Sequence, residues 1–475
     1  MHSYQTSYFP MPRRHVSHLT VLSAFTGAGG LDLGLERAGF HSVACIERDP
    51  HARRTIAHNR PGWNLLGEGD ILQVAQSLEP RSLGLHRRQL SVLAGGPPCQ
   101  PFSTAAQWAD SGMGGLADAR SQGLCAFMLL AERFLPRVIL IENVPGFVQG
   151  RSSALPFIVD RLQRINDQYG TRYRLEYQFL QSADFGVPQR RRRAILIAVR
   201  EGTRIAWPEP THAEAPVRAY DALHDVRVGN PPVATGQWAD LLASIPAGMN
   251  YQYHTARGGG LPLFGHRSWF WSFLLKLAPE QPSWTIQAHP GPATGPFHWE
   301  NRPLATEEMA RLQTFPADWV FTGSAKVRQR QIGNATPPLL AEVIGRSLRQ
   351  HVFRQPLADT LSLAITRLAE VPAAPPPLPV PERFHTRVGT QSDHPGAGLG
   401  PGALRRRARL VTRLHKGLER LARQAGGGGN ISEPAAPPRA VTDSHGPPPQ
   451  LEVRALARHG GYPTPIPGSP ANRAA

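Results

Sequence analysis

The sequence predicts an α/β fold, an open sheet of largely parallel strands joined to a second, smaller and irregular domain and to a disordered C-terminal tail. Three observations carry that expectation. Leu19 to Ala24 (LTVLSA) is an apolar run that ends in the glycine-rich FTGAGGLDLGLERAGF, Phe25 to Phe40, where helical spacing takes over. Strand, tight turn and helix therefore follow one another. Leu90 to Ala94 and Val138 to Ile141 are continuously apolar, as strands buried on both faces are. From Arg200 to about Pro282 the strand and helix alternation fails, and beyond Phe353 the text runs into PAAPPPLPVPE, GGGG and GPPPQ.

The elements follow in order. After the first unit comes a strand, His41 to Ile46, which ends at Glu47. That is roughly 20 residues past the glycines, where a carboxylate can accept from both hydroxyls of a ribose. Gly27, Gly29 and Gly30 would let the backbone approach a ligand at the positive end of the next helix. Asp70, in GEGDI, is either an ordinary turn aspartate or an acceptor for an adenine amino group. Leu124 to Phe134 and Ser152 to Tyr169 have helical spacing, Tyr173 to Leu180 reads as a strand, and Ala194 to Val199 as the last strand of the series. RQIGNATPPLLAEVIGRSL supplies a helix that returns to the first domain, and a further helix beyond Phe353 ends at Pro372. Leu404, Val411, Leu414, Leu418 and Leu421 fall at helical spacing among arginines, a solvated helix or a basic contact for DNA or a partner.

The domain boundaries that follow are 1–18 for a disordered extension, 19–200 with 325–352 for the sheet domain, 201–324 for the second domain and hinge, and 353–475 for the tail. The chain of 475 residues carries a formal charge of +17 and a pI near 10.8, which calls for a polyanionic partner such as nucleic acid. Only Lys276, Lys326 and Lys416 of its 52 cationic side chains are lysines, leaving 49 arginines. Three widely spaced cysteines fit neither a disulfide framework nor a zinc site, so a reducing compartment and no metal are expected. No apolar run is long enough to span a membrane and the N-terminus lacks a signal-peptide core, which together predict a cytoplasmic protein.

Cys45 and Cys125 read as buried small hydrophobes. Cys99 differs, because GGPPCQPFS sets it among three prolines that fix φ and remove N–H donors, a stiff loop suited to presenting a nucleophile. Ligands of an open α/β sheet bind at the carboxyl ends of its strands, so Cys99 and Glu142, each following a strand, can converge there. The segment after Ser103, TAAQWADSGMGGLADARSQG, reads as a mobile loop able to close over a substrate. Gln189, Arg191 and Arg193 alternate into a strand, which puts them on one side, facing the same crevice. Arg257, His266 and Arg267 lie among Trp269 and Trp271, aromatics that read first as local core and otherwise as a nucleic-acid surface.

FTGAGG, GGPPCQPFS, ENV, QRRRR, RPLATEEMARLQTFP and RQIGNATPP occur in the order and spacing of the DNA cytosine-5 methyltransferases, and the chain resembles the bacterial restriction-modification type over about Leu19 to Leu348. The resemblance implies a Rossmann-like, S-adenosylmethionine-dependent methyltransferase fold with a target-recognition domain across a DNA cleft. It implies Cys99 as the nucleophile that adds to cytosine C6, Glu142 as the acid at N3, Arg193 as the group holding the cytosine carbonyl and the glutamate, and Arg191 near a backbone phosphate. For the cofactor it implies Phe25, Gly27, Gly29 and Gly30 around the methionine end, Glu47 at the ribose, Arg48 and Ile71 on the adenine faces, and Asp70 at its amino group. Gly96, Pro98 and Asn334 complete that pocket. Thr285 matches a phosphate contact, and Ser103, Gln189, Arg257 and Arg267 are further candidates for contact with DNA.

The implied partner is double-stranded DNA, met by a monomer beside a cognate restriction endonuclease acting on the same site, without any membrane. A transfer RNA cytosine methyltransferase and an orphan regulatory DNA methyltransferase are the alternatives. Because the motif set is complete by then, cutting the chain after about Val371 is expected to leave activity.

Overall fold

The apolar runs build a central sheet whose register places four strand ends side by side. The computed structural model describes residues 18–98, 122–150, 153–267, 270–291, 293–357, 360–393 and 454–455. Strands β1 (Leu19–Ala24), β2 (Phe40–Ile46), β3 (Val92–Gly95) and β4 (Val138–Asn143) run parallel. Ala24 pairs with both Ile46 and Gly95, and Gly95 with Ile141, so the carboxyl ends share one edge. Beyond them lie β5 (Arg174–Gln181), the two-residue β6 (Gln189–Arg190) and β7 (Arg192–Val199). β7 is antiparallel to both β4 and β5 and sits between them. Its N-terminal end therefore reaches the edge where the parallel strands finish. β6 pairs instead with β8 (Ser283–Trp284), and β9 (Arg454–Ala455) extends the main sheet beside β5.

Helices cover both faces, as a sheet apolar on both sides requires. Helices α1 (Gly30–Arg37), α2 (Pro50–Asn59), α3 (Ile71–Ser77), α4 (Gln122–Phe134) and α5 (Leu155–Tyr169) follow the first strands. Phe127, Leu130 and Phe134 of α4 and Leu162 and Ile165 of α5 fill one face. Leu31 and Leu35 of α1 fill the other with Leu340, Ile344 and Leu348 of α9 (Pro338–His351). Glycine sets the spacing between these two helices, since a Cβ on Gly34 would stand 2.3 Å from the Pro338 carbonyl oxygen. Cys45 is buried, but Cys125 is exposed on α4, because apolar spacing along a helix leaves the intervening positions facing water. Among the described residues no helix is long and apolar enough to cross a membrane.

The remaining α-helices among the described residues are α6 (Ala219–Leu223), α7 (Thr306–Leu312) and α8 (Ala325–Asn334). Leu241, Leu242, Ile245, Tyr251, Leu263, Leu274 and Phe297 form a separate core built on turns and isolated bridges. Lys276 is buried there with its Nζ donating to the Ile245 carbonyl and to Asn301 Oδ1, both at 2.6 Å, and burial lowers its pKa to about 8. Residues 304–324, assigned from sequence to the second domain and hinge, contribute to another core: Leu312, Phe315 and Trp319 pack with Ala28 and Leu33 beside the first turn and with Ala219, Leu277 and Ile286.

The larger difference concerns the segment after α9, expected to be a helix and then tail. Ser362 and Leu363 donate their N–H groups to the Glu342 carboxylate, and Leu368 donates to Asp221 Oδ1. Carboxylates of the folded domain thus take the donors that a helix would use. Farther on, Leu378 N–H donates to the Ala243 carbonyl and Phe384 completes the second core. The prolines between them need no N–H partner, so the strap runs extended to Pro381 and then closes in a 3-10 helix, Glu382–Arg387.

Candidate active site

The first turn is built by residues that tolerate left-handed backbone. Gly27 (φ 58°) and Gly29 (φ 84°, capping α1) lie there, and so does Phe25 at φ 56°, an uncommon conformation for an aromatic residue. The Gly27 N–H donates to Glu47 Oε2 and the Asp49 N–H to Glu47 Oε1, both at 2.6 Å. Burial holds the Glu47 carboxyl above the usual carboxylate range, against the two N–H groups. Each oxygen keeps a lone pair after these bonds. A Cβ at Gly27 would find only the Phe25 carbonyl oxygen, 3.9 Å away, which leaves room beside the carboxylate for a bound molecule.

Gly29 and Gly30 also serve packing. A Cβ on Gly30 would stand 2.2 Å from the Thr336 carbonyl oxygen, and one on Gly29 would meet the Trp63 and Trp319 rings. Both glycines let the C-terminal elements close onto the turn. Asp70 caps α3 by accepting from Leu72 N–H at 2.9 Å, Ile71 is buried at the start of that helix, and Arg48 is exposed. Asn334 is exposed at the end of α8.

Beneath the turn lies Asp32, a buried carboxyl that sequence reasoning passed over. Burial raises its pKa to about 7, opposed by a hydrogen bond from Ser23. The unfolded chain would ionise near 3.9, so the folded protein holds a proton that the unfolded chain releases. The stability from this group is complete below about pH 4 and is lost as pH rises through about 7, a change of about 4 kcal/mol. Asp32→Asn is expected to flatten that slope, which thermal unfolding of both proteins from pH 4 to 8 would read. An unchanged slope would refute the assignment.

At the ends of β3 and β4 the catalytic candidates meet. Glu142 pairs with Ile195 across β4 and β7, so Arg193 emerges at the same edge. Arg193 Nε stands 3.1 Å from Glu142 Oε1, in an ion pair whose N–H is not aimed along a hydrogen bond. Glu142 is 8% exposed. Gly96 lies beside it, where a Cβ would sit 3.6 Å from Glu142 Oε2. Asn143, which the sequence reading gave no role, donates its Nδ2 to the Pro97 carbonyl at 2.9 Å and ties this loop to the end of β4. Pro98 is exposed and is the last residue described before Cys99. Cys99, Ser103 and the closing loop lie outside the described residues, apart from Gln122 and Gly123, which begin α4.

Two members of the alternating set are not in the crevice. Arg191 is 2% exposed and donates its Nη2 to the Gly333 and Ala335 carbonyls, both at 2.9 Å, so it holds the end of α8 instead of facing a phosphate. Gln189 is fully buried, with Oε1 accepting from Ile286 N–H and Nε2 donating to the Leu312 carbonyl, which removes it from any DNA surface. Thr285 is half-buried and donates its hydroxyl to the Arg190 carbonyl. Arg257 is exposed but paired with Asp393 of the strap at 2.9 Å, whereas Arg267 is exposed near the Phe270 ring.

Comparisons with known proteins show the family. The family model for C-5 cytosine-specific DNA methylase matches residues 19–350. The chain is 33% identical over 372 residues to Type II methyltransferase M.SacI of Streptomyces achromogenes, covering 70% of this chain and 93% of that one. It is 35% identical over 353 residues to M.Eco47II of Escherichia coli, covering 69% and 78%. A solved structure of a proposed DNA modification methyltransferase encoded within an E. coli prophage shares the fold, with a TM-score of 0.51 at 22% identity over 70% of this chain and 99% of that one. The chain belongs to the C-5 cytosine-specific DNA methylases, enzymes that transfer the methyl group of S-adenosylmethionine to carbon 5 of cytosine in DNA.

Proposed function

We propose that this methylase acts on one short duplex sequence, with Cys99 as nucleophile and the Glu142–Arg193 pair as the group that activates the base. The ion pair at 3.1 Å, at the strand edge that leads into the cysteine loop, is the observation that carries the reading. Cytosine C5 is a weak nucleophile until the ring accepts an addition at C6. The Cys99 thiolate forms the bond to C6, and the displaced ring electrons gather toward N3 and the C2 carbonyl. Glu142 delivers a proton at N3, and Arg193 holds the carbonyl oxygen and keeps the carboxyl aimed. A bond thereby forms at C6 while negative charge at the ring is neutralised, leaving C5 electron-rich. Once C5 carries the methyl group, loss of the C5 proton and expulsion of the Cys99 thiolate restore the aromatic ring, and the N3 proton returns to Glu142.

S-adenosylmethionine supplies an electrophilic methyl group when bound. Glu47 would accept from its ribose, the turn at Phe25 to Gly30 would receive its methionine end, and Ile71, Asp70 and Arg48 would flank its adenine. Gly96, Pro98 and Asn334 would close the pocket. The free lone pairs of Glu47 and the open space at Gly27 fit that use. The target base lies inside a stacked duplex, so it must be extruded, at a few kcal/mol. The Type II names of the relatives support a restriction-modification role beside a cognate endonuclease. A monomer working on DNA in the cytoplasm completes the proposal.

Bisulfite sequencing of DNA from cells that express the full chain, or its Cys99→Ser variant, tests the proposal. Protected cytosines confined to one short motif, and missing with the serine variant, are the expected result. Protection that survives the substitution would remove Cys99 from the mechanism.

A further inference from the structure

Phe270 and Trp271 are adjacent in sequence and are 52% and 41% exposed. Large apolar side chains do occur singly on protein surfaces, but this pair is held by a stack that leads to the catalytic edge. The Trp271 ring meets Trp284 edge to face at 5.1 Å, and Arg190 lies 5.0 Å over the other tryptophan. Trp284 pairs with Arg190 across β6 and β8, and Thr285 Oγ1 locks the ribbon by donating to the Arg190 carbonyl at 2.7 Å. The backbone is fixed from behind as well, where Asn250 Nδ2 donates to the Trp271 carbonyl and the Tyr251 hydroxyl to the Arg267 carbonyl. Arg190 precedes Arg193 by three residues. Three residues of chain span at most about 10 Å, so the ribbon that carries the aromatic stack begins beside the catalytic edge.

Exposed Arg267 adjoins the pair, with its guanidinium 5.8 Å from the Phe270 ring, and this charge suits a polyanion. We infer that Trp271, with Phe270, stacks on bases of the duplex beside the target cytosine and stabilises the DNA once that cytosine has left the helix. The inference rests on the methylase reading and adds to it the residues that meet the opened duplex.

The experiment measures binding of the full-length protein to a duplex that it methylates, at several salt concentrations. It compares the wild type with Trp271→Ala, the Phe270→Ala/Trp271→Ala pair, Trp271→Phe and Arg267→Ala. Loss of base stacking is expected to weaken binding roughly tenfold to a hundredfold. Stacking releases no counterions, so the weakening should be the same at every salt concentration, whereas Arg267→Ala should reduce the salt slope by about one. Trp271→Phe should retain most of the affinity. If cytosine extrusion is the step assisted, a mismatch at the target should restore part of the loss in Trp271→Ala, because a mismatched base is easier to extrude. Thermal unfolding and S-adenosylmethionine binding, unchanged in Trp271→Phe and Trp271→Ala, separate this effect from loss of the fold. Unchanged DNA affinity in the double variant overturns the inference, as does a weakening that a phenylalanine fails to relieve. A wild-type protein that methylates no DNA would instead overturn the methylase reading on which it rests.

Discussion

Glu142→Gln is expected to lower the methylation rate by about a hundredfold to ten-thousandfold, the range set by removing a positioned acid. Binding of S-adenosylmethionine and of duplex DNA should stay close to wild type. Glutamine preserves the volume and one oxygen at a side chain that is almost out of solvent, so the shape of the site survives. What it cannot do is pass a proton to N3 as charge develops after attack at C6. Arg193→Ala should act on the same step by another route, leaving a buried carboxylate without its cation, an arrangement that costs about 3–5 kcal/mol when one member of a buried pair is removed. Residues that work as a unit do not add. The double variant should therefore be no slower than the worse single variant by more than a few fold, read from single-turnover rates on a defined duplex. A Glu142→Gln enzyme within tenfold of the wild type would show that the proton reaches N3 from elsewhere.

The pair could be foreseen because it depends on topology more than on side-chain packing. Two apolar runs read as parallel strands already send Cys99 and Glu142 toward one edge, and the register sets the ends of those runs, Gly95 and Ile141, side by side. Arg193 joins them because β7 runs the other way. Parity failed at Gln189 and Arg191 for a physical reason. Alternation tells which side of a strand a residue faces, but not what lies over that side, and here residues 286, 312, 333 and 335 cover it. Those positions are 97 to 144 residues away in the chain, beyond the reach of any local pattern. The same holds for Gly30, whose neighbour is the Thr336 carbonyl. Trp271 erred in the opposite direction: its type suggests a core residue, and only the fold leaves it at the surface. Composition misled most in residues 360–393, where proline content suggested a tail.

Truncation after Val371 is consequently expected to abolish DNA methylation, although every motif is upstream of the cut, while truncation after Asp393 should preserve it. The strap supplies Phe384, which is 5% exposed and stacks on Trp238 with ring centroids 5.7 Å apart and planes 13° from parallel. Arg387 lies 4.9 Å over that tryptophan, Arg383 is paired with Asp240, and Gly389 N–H donates to the Pro262 carbonyl. Removing these groups opens the core of Leu241, Leu242, Tyr251 and Phe297 to water. Phe384→Ala alone should destabilise by about 3–5 kcal/mol, the usual range for deleting a buried aromatic ring. The catalytic domain keeps both faces of its sheet covered without the strap beyond Val371, since α1, α4, α5 and α9 supply that cover. S-adenosylmethionine binding should therefore survive the shorter truncation while specific DNA binding fails, and calorimetry should lose one unfolding component or show it at lower temperature. If the protein ending at Val371 methylates its sequence at the wild-type rate, the strap is an ornament of the fold. If it binds the cofactor but no longer selects DNA, the core around Tyr251 and Phe297 owes its shape to residues that lie beyond the whole motif set.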